Sequence, residues 1–311
     1  IQIQLVGDVH RITPLLKKYQ ILNHQRLELI YADQVVEMGD PSTIAIKAKK
    51  NSSITVAANL VGKGESEALV SAGHTGALFV AAKFKMKMLP GIERPAIATI
   101  MPSPKGSFIL IDAGANTDCK PIHLAQFAVM GEAFAKLFLG IHHPRIGLLS
   151  VGVEELKGNE LTKETFKKLQ TMPINFIGNV EGHDIFDKKA DVVVCDGFVG
   201  NALLKTVESF AKAIMFWLNE ALTKNTIRIT GAILAKEAFK ELKAIGNYEE
   251  YGGAPLLGVN GICIKCHGSS SSKAIKNAIR VAREFVKFKI NKHITEKISE
   301  SGLVVIENKM N

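Results

Sequence analysis

The amino-acid sequence predicts an α/β fold around a mainly parallel sheet, and two observations lead to this prediction. Short runs rich in β-branched residues recur along the chain, and most are continuous rather than alternating, which is typical of strands buried on both faces. Helical stretches with short connections lie between these runs, so the chain repeats strand, helix, strand. The 311 residues, 47% hydrophobic and 22% charged, suit one large domain of two lobes, or two domains.

The individual elements follow from these runs in chain order. Nine short apolar runs bounded by turn residues are predicted as strands; they are Ile1–Val6, Leu27–Tyr31, Leu69–Ser71, Ala96–Ile100, Phe108–Asp112, Ile146–Val151, Ile174–Ile177, Val192–Cys195 and Ile262–Ile264. Four stretches between them are predicted as helices; they are Thr75–Met88, Pro121–Leu139, Thr162–Gln170 and Leu203–Leu222. One more helix is expected after the serines Ser269–Ser272, which can cap its start.

Turns rich in glycine and small polar residues follow several of the predicted strands. In chain order they are Ser71–Gly76, Asp112–Asn116, the residues from Gly152 onward, Gly178–Asn179 and Asp196–Asn201. Ligands of open α/β sheets bind at the carboxyl ends of strands, and glycine lets backbone N–H groups approach an anion. We therefore expect a shared ligand-binding cleft at this edge of the sheet.

The segment 203–245 is predicted as a helical hairpin with an unusual apolar pattern. Its first helix has a stripe of core spacing, formed by Leu203, Val207, Phe210, Ala211, Ile214, Leu218 and Leu222. Phe216 falls on the opposite, polar side of that helix. The second helix, Ile227–Ile245, places Ile233, Leu234, Phe239 and Leu242 around most of its circumference. Such surfaces indicate either a dimer contact or docking on a membrane surface, and the pattern favours neither.

The chain is basic, with a formal net charge of +9 and a pI near 9.3, which favours acidic partners. The predicted C-terminal helix has one stripe of basic residues, namely Lys273, Lys276, Arg280, Arg283 and Lys287. The stripe lacks interleaved aromatic residues and no nucleic-acid-binding motif accompanies it, so nucleic acid is not an expected partner. It is either a solvated face or a contact for an acidic protein.

The sequence indicates a cytoplasmic protein. No apolar run approaches the roughly 18 residues of a membrane span, and the first residues lack the plan of a signal peptide. Four cysteines are too few for a disulfide scaffold and are expected as thiols. The run Cys263–His267 has the C-x-x-C-H spacing of haem attachment, but such attachment needs export, for which we expect no signal. Ile262 and Ile264 alternate as in a strand, whereas a redox pair would lie at a helix start, so we reject both a haem site and a redox pair.

The turn after the fifth predicted strand combines several reactive groups. Asp112, Asn116, Asp118 and Lys120 could position a substrate by paired hydrogen bonds, although Asp118 and Lys120 could equally form a surface ion pair. Cys119 would need a histidine from elsewhere in the fold to act as a nucleophile. The glycine motifs of dinucleotide and nucleotide sites are incomplete, and no cluster has metal-ligand spacing, so neither a cofactor nor a metal is expected.

Seven segments of the sequence together resemble the bacterial phosphate acyltransferase family of phospholipid synthesis (PlsX). They follow one another along nearly the whole chain and are Ser71–Ala77, Leu110–Pro121, Gly158–Glu160, Phe176–Gly182, Val194–Asn201, Tyr251–Gly258 and His267–Ser270. There are two departures. The family begins with a strand carrying Asp-Ala-Met-Gly-Gly-Asp, which is expected to be absent because this chain opens at the strand ending Val6-Gly7-Asp8. His74 also stands where the family commonly has Asn.

The resemblance implies a single two-lobed acyltransferase domain over residues 1–311, with a three-layer Rossmann-like sheet similar to isocitrate and isopropylmalate dehydrogenases. It implies a homodimer that holds the membrane peripherally through a protruding helical pair, which 203–245 would form, with Phe216 and Leu234 facing the membrane. The implied reaction transfers a fatty acyl group from acyl carrier protein to inorganic phosphate, giving acyl phosphate. The acidic carrier would be steered by Lys273, Lys276, Arg280 and Arg283.

Phosphate is itself a nucleophile near neutral pH and a thiolate leaves readily, so the protein has to position two anionic partners and stabilise an oxyanion. On this hypothesis the phosphate is held by N–H groups and hydroxyls of the turns Ser71–Gly76 and His267–Ser270, with help from Lys120 or Lys205. His267, Asn116 or Asn201 donates to the oxyanion or to the departing sulfur. The full expected phosphate and substrate set is Ser71, Gly73, Thr75, Gly76, Asp112, Gly114, Asp118, Lys205, Gly268, Ser269 and Ser270.

Two alternatives stay open at this point. A non-catalytic α/β scaffold would bind acyl carrier protein without turnover. An enzyme of the phosphotransacetylase kind would instead use coenzyme A thioesters.

Overall fold

The computed structural model of the chain describes residues 1–245 and 252–303. The strands are β1 (Ile3–Gly7), β2 (Leu27–Tyr31), β3 (Ala68–Ser71), β4 (Ala96–Ser103), β5 (Gly106–Ile111), β6 (Ile146–Leu149), β7 (Phe176–Val180), β8 (Val192–Val194), β9 (Ala254–Leu257) and β10 (Ile262–Lys265). The helices are α1 (Val9–Lys18), α2 (Ser42–Ala48), α3 (Ser53–Gly62), α4 (Thr75–Ala81), α5 (Pro121–Phe138), α6 (Glu160–Gln170), α7 (Gly182–Phe186), α8 (Gly197–Leu222), α9 (Thr226–Leu234), α10 (Lys236–Ile245), α11 (Ser272–Lys287) and α12 (Ile290–Glu300). The predicted α/β class is confirmed.

The chain divides into two compact units. Unit 1 comprises Ile1–Pro95 and Gly252–Asn311, and unit 2 comprises Ala96–Tyr251. In unit 1, β1 pairs with β2 in parallel, β10 pairs with β3 in parallel, and β10 pairs with β9 antiparallel. In unit 2 the strand order is β4-β5-β8-β6-β7, in which β4 and β5 form an antiparallel hairpin and the other pairs are parallel.

The buried core of unit 2 is built around α5 and the parallel strands. Thirteen consecutive residues of α5, from His123 to Ala135, are buried, and this helix packs on β5 and β8. The three valines of β8 are fully buried. These continuous apolar runs belong to strands covered on both faces, as the sequence predicted.

Several elements differ from the sequence predictions. Helices α1, α2, α3, α7 and α12 were not predicted, and α8 begins at Gly197 rather than at Leu203. Strand β9 was missed because it is short, contains Pro255 and pairs antiparallel, which a search for continuous β-branched runs does not detect. The helix expected over Thr75–Met88 is α-helical only to Ala81 and continues as a π-helical turn, Ala82–Met86. The single helix expected over Ile227–Ile245 is two helices, because Ala235 leaves the helical conformation between α9 and α10.

Helix α8 shows where the predicted core stripe is wrong. Leu203, Leu204 and Val207 pack against a buried cluster that includes Phe108 and Val193. Farther along, Phe210 is 59% exposed and Ile214 is 44% exposed, so the stripe leaves the core after two turns. No helix within 1–245 or 252–303 combines the length and apolarity that crossing a bilayer requires.

Candidate functional site

In unit 1, the carboxyl ends of β3 and β10 bring two of the predicted turns together. Lys265 lies opposite Ser71 in the parallel register, and the Cys266 N–H donates to the Ser71 carbonyl at 2.8 Å. The turns Ser71–Gly76 and His267–Ser270 therefore leave neighbouring strands side by side, and we call these two turns the amide corner. Its members come from positions almost 200 residues apart in sequence, so only the sheet register places them together.

The first turn of the amide corner is held by its own side chains. The Gly73 N–H donates to the Ser71 Oγ at 3.1 Å. The Ala77 N–H donates to the His74 Nδ1 at 3.1 Å, so His74 is the N-cap of α4 and carries its ring proton on Nε2. His74 thus performs the capping role that Asn also performs. Thr75 is exposed, and Gly76 lies in the first turn of α4.

The second turn of the amide corner fixes the imidazole of His267. The Ser269 N–H donates to the His267 Nδ1 at 3.2 Å, and the Ser269 Oγ lies 2.7 Å from the same nitrogen. Because Nδ1 accepts, the ring proton lies on Nε2, which makes His267 a hydrogen-bond donor at that atom. The Ser270 N–H donates to the His267 carbonyl at 3.0 Å, and Gly268 is exposed. The Ser269 hydroxyl contacts His267, and its expected role in phosphate binding stays a prediction.

Sequence reasoning missed a third segment that reaches the amide corner. It is the tip Met38–Ser42, which ends at the first residue of α2 and belongs to the connection that runs from β2 through α2 to α3. A Cβ placed on Gly76 would lie 2.2 Å from the Ser42 Oγ, and a Cβ placed on Gly268 would lie 3.9 Å from the Met38 Cε. The run Gly39–Ser42 has the composition of a turn, but no pattern in the sequence relates it to residues 71–76.

In unit 2, Asp112 organises the turn that follows β5 and is fully buried. Its Oδ1 accepts from the N–H groups of Ile97, Gly114 and Ala115 at 3.0–3.1 Å. Its Oδ2 accepts from the Asn116 N–H at 2.7 Å and from the Asn116 Nδ2 at 2.9 Å. Burial raises the pKa of the Asp112 carboxyl, and the N–H donors oppose that rise. Both Asp112 oxygens accept hydrogen bonds inside the protein, and the expected contact of Asp112 with a substrate stays a prediction.

Asn116 belongs to the same network. Its side chain is 2% exposed and its amide donates to Asp112, so it helps to fix the turn, and its expected donation to an oxyanion stays a prediction. Asn201, by contrast, is exposed. It stays available in unit 2 as a donor.

The start of α8 fits closely against the Asp112 turn. Asp196 caps this helix by accepting from the N–H groups of Phe198 and Val199. A Cβ on Gly197 would lie 2.6 Å from the Asn116 carbonyl oxygen, and a Cβ on Gly200 would lie 1.9 Å from the Asp112 carbonyl oxygen. Gly114, at φ +131°, lies under the Asn201 side chain. Glycine is required at positions 197 and 200 because an added side chain would collide with backbone oxygens. The structure also brings together Gly114 and Asn201, which were both predicted site residues.

The predicted phosphate-binding cations are less closely placed. Lys120 is exposed, and its backbone N–H donates to the buried His123 Nδ1 at 3.0 Å. The Lys205 Nζ pairs with Glu208 at 3.0 Å rather than with the Asp112 turn. Asp118 is exposed, and no ion pair joins it to Lys120 in the part of the chain that the structure describes. Any role of these three groups in binding stays a prediction.

The two predicted surface patches are exposed as expected. Lys273, Lys276, Arg280 and Arg283 lie on the outer face of α11, whose inner face buries Ala274, Ala278 and Phe285. Phe216 is 61% exposed and Leu234 is 84% exposed. In the resembling segment Tyr251–Gly258, Tyr251 lies outside the described residues.

The cysteines are thiols, as predicted. Cys263 lies on β10 and is buried, and burial raises its pKa to about 12, which is the opposite of a reactive redox thiol. Among the described residues, Glu181, His183 and Asp184 place ligand atoms within 4.8 Å of one another. However, Lys189 already pairs with Asp184 and lowers the pKa of that carboxyl, so a cation would have to displace an ammonium group.

Comparisons with known proteins agree with one another. The sequence model of a family described as "Fatty acid synthesis protein" matches residues 1–293. The chain is 52% identical to the phosphate acyltransferase of Pelotomaculum thermopropionicum over 272 residues, covering 88% of this chain and 80% of that protein. It is 46% identical to the phosphate acyltransferase of Citrifermentans bemidjiense over 301 residues, covering 97% of this chain and 85% of that protein.

Solved structures are similar at the level of the fold. A branched-chain phosphotransacylase from Enterococcus faecalis V583 matches with a TM-score of 0.53 and 18% identity, over 92% of this chain and 99% of that chain. EutD phosphotransacetylase from Staphylococcus aureus matches with a TM-score of 0.51 and 16% identity, over 95% of this chain and 86% of that chain.

Proposed function

The chain belongs to the fatty acid synthesis protein family that includes the bacterial phosphate acyltransferases, and we propose that it transfers a fatty acyl group from acyl carrier protein to inorganic phosphate. The product, acyl phosphate, would enter phospholipid synthesis. The observation that carries this proposal is the amide corner, because it gathers backbone N–H groups and hydroxyls at the carboxyl ends of two adjacent parallel strands. Such a corner suits a phosphate dianion.

The reaction needs no covalent intermediate on the protein. One phosphate oxygen forms a bond to the thioester carbonyl carbon, the carbon–sulfur bond breaks, and the phosphate proton ends on the departing sulfur. The products are acyl phosphate and a free thiol. The protein's contribution is to hold the phosphate and to donate hydrogen bonds to the oxygen that gains charge as the new bond forms.

Within this proposal, His267 is the donor that the geometry favours. Its Nδ1 accepts from Ser269, so its Nε2 carries the proton that an oxyanion or a thiolate requires. The Thr75 and Gly76 amides would bind the phosphate, beside the Gly73 amide that donates to the Ser71 Oγ. Asp112 and Asn116 would act as positioning residues because they fix the turn of unit 2.

One assay separates this function from its alternatives. The protein is incubated with inorganic phosphate and palmitoyl thioesters of either acyl carrier protein or coenzyme A, and thiol release is measured. We expect phosphate-dependent release from the carrier-protein thioester. Release from coenzyme A alone would indicate a phosphotransacetylase-like enzyme, and no release from either would indicate a scaffold.

We further propose that the exposed basic stripe of α11 binds acyl carrier protein. Opposite charges speed association and are screened by salt. The double variant Lys276→Glu/Arg280→Glu should raise the KM for the carrier-protein thioester about tenfold at low salt, and the difference should shrink as salt rises. The double variant Lys163→Glu/Lys167→Glu on α6 makes the same charge change elsewhere and should leave that KM unchanged. Equal KM values for both variants would show that the basic stripe of α11 is only a solvated face and does not bind the carrier protein.

The apolar residues that α8 and α9 expose support two further proposals, a homodimer contact and a peripheral hold on the membrane. The variant Phe216→Glu/Leu234→Glu should abolish co-sedimentation with anionic liposomes while sedimentation velocity still detects a dimer. Unchanged liposome binding with loss of the dimer would assign both side chains to the subunit contact. We also propose that the protein is cytoplasmic. Its sheet would be a three-layer Rossmann-like sheet of the isocitrate dehydrogenase kind, and α8 to α10 would be its protruding helical part.

A further inference from the structure

The connection between β2 and α3 is fixed by a set of polar contacts. The Asn51 N–H donates to the Gln34 Oε1 at 2.9 Å, where the two chain segments also form a parallel bridge. The Lys49 Nζ donates to the Val35 carbonyl at 2.7 Å and pairs with Asp40 at 2.5 Å. Lys49 holds the pKa of Asp40 below its usual range. The tip Met38–Ser42 is therefore held in place from both sides of its base, unlike a loop that is free to move.

At one end of this tip, Ser42 lies against the first turn of the amide corner. Its Oγ lies 2.2 Å from the position that a Cβ on Gly76 would occupy, and the His74 Cε1 lies 3.2 Å from the same position. Only glycine at position 76 lets the hydroxyl come this close to the start of α4. Ser42 is half-buried, and its hydroxyl donates to no acceptor among the residues the structure describes. A hydroxyl placed beside N–H groups with no acceptor of its own can donate to the anion that those N–H groups bind.

At the other end of the tip, Met38 lies against the second turn. Its Cε lies 3.9 Å from the position of a Cβ on Gly268, and its side chain is 72% exposed. A flexible apolar side chain beside a polar corner matches a substrate in which an anionic group is joined to a hydrocarbon chain. The tip thus presents a polar group to one turn and an apolar group to the other.

We propose that Ser42 is a further phosphate-binding residue of the amide corner and that Met38 contacts the acyl chain near its carbonyl end. The assignment rests on the proposed function, because it takes phosphate and an acyl group as the two ligands. Ser42 touches the phosphate directly. Met38 contributes to recognition of the acyl chain and not to the chemistry.

The first experiment measures binding of inorganic phosphate to the full chain by isothermal titration calorimetry, so it does not depend on turnover. A hydrogen bond to a charged acceptor implies that Ser42→Ala weakens phosphate binding about tenfold or more. Thr43→Ala, at the exposed neighbouring position, should bind phosphate as the parent does. Circular dichroism checks that both variants are folded.

The second experiment separates the two ends of the tip by steady-state kinetics. Ser42→Ala should raise the KM for phosphate and leave the KM for the palmitoyl thioester unchanged. Met38→Gln, which keeps the length of the side chain, should raise the KM for the thioester several-fold and leave the KM for phosphate unchanged. Leu15→Gln, an exposed apolar residue of α1, is the control for a general loss of surface apolarity.

Each outcome is decisive. If the parent turns over and Ser42→Ala retains the parental phosphate affinity and KM, the Ser42 assignment is wrong and the proposed function stands. If Ser42→Ala weakens phosphate binding but the parent turns over neither thioester, the Ser42 assignment stands and the proposed function fails. A parent that neither binds phosphate nor turns over ends both. An unchanged thioester KM in Met38→Gln removes Met38 from the site.

Discussion

Replacing Gly200 with alanine should destabilise unit 2 by disturbing the contact between α8 and the Asp112 turn. The new Cβ would lie 1.9 Å from the Asp112 carbonyl oxygen, 2.9 Å from its carbonyl carbon and 3.0 Å from the Cys195 Sγ. A carbon–oxygen contact needs more than 3 Å, so backbone must shift by about 1 Å or more. The carbonyl oxygen belongs to the main chain and cannot rotate away as the end of a flexible side chain could.

The magnitude follows from two opposing effects. Alanine in place of glycine within a helix contributes about 0.5–1 kcal/mol of stability. Overpacking a tight contact costs about 1–3 kcal/mol, and here it is at the upper end because backbone is opposed to backbone. The expected net change is a loss of about 2 kcal/mol in the free energy of unfolding, which lowers the urea midpoint by about 0.5–1 M.

The matched control is Gly231→Ala in α9, where a Cβ would meet nothing within 4 Å. This variant should be as stable as the parent or up to about 1 kcal/mol more stable. Urea unfolding followed by far-ultraviolet circular dichroism measures both variants. Thiol release should fall in Gly200→Ala because the turn fixed by Asp112 and Asn116 is displaced. If Gly200→Ala and Gly231→Ala unfold at the same urea concentration, the close approach of α8 to the turn is not as described.

Three further predictions follow from other contacts. Asp112→Asn places an amide NH₂ against at least two N–H donors and should lower the free energy of unfolding, measured in urea, by about 3 kcal/mol. An unaltered urea midpoint would show that Asp112 is protonated in the folded protein. Burial would raise the pKa of Asp191, but hydrogen bonds from the Arg145 side chain and backbone hold that pKa below its ordinary value. Arg145→Met should therefore lower the free energy of unfolding by about 2–3 kcal/mol at pH 7. This loss should shrink as the pH falls through about 4, because Asp191 then becomes protonated, and a loss that does not change with pH would refute the prediction. His267→Ala should lower kcat for phosphate-dependent thiol release about 100-fold, while the affinity for phosphate stays near the parental value. An unchanged kcat would show that His267 is not the donor to the oxyanion.

The sequence predicted most elements because local physics decides them. Continuous β-branched runs identify strands buried on both faces, and all nine predicted strands correspond to strands of the structure, with Ile174–Ile177 shifted to Phe176–Val180. Strand β9 was not predicted because its antiparallel pairing defines it. The helix break at Ala235 was not predicted because no proline or glycine stands at that position. Turns rich in glycine and small polar residues identified the segments Ser71–Gly76 and Asp112–Asn116, whereas only the sheet register brings Ser71–Gly76 beside His267–Ser270.

The residue roles within those turns could not be read from the sequence. Asp112 and Asn116 have the chemistry of ligand-binding groups, but the fold buries both side chains, and the Asp112 carboxylate accepts from the N–H groups of Ile97 and Asn116. Ser42 and Met38 carry no motif, and only the packing of the β2–α3 connection brings them to Gly76 and Gly268.

The amino-acid sequence by itself therefore determined the α/β class, the strand-end turns, the basic face of α11 and the family resemblance, because periodicity, turn chemistry and charge are properties of neighbouring residues. The tertiary structure alone decided which polar side chains are occupied inside the protein and which face outward, because that depends on contacts between residues far apart in the chain.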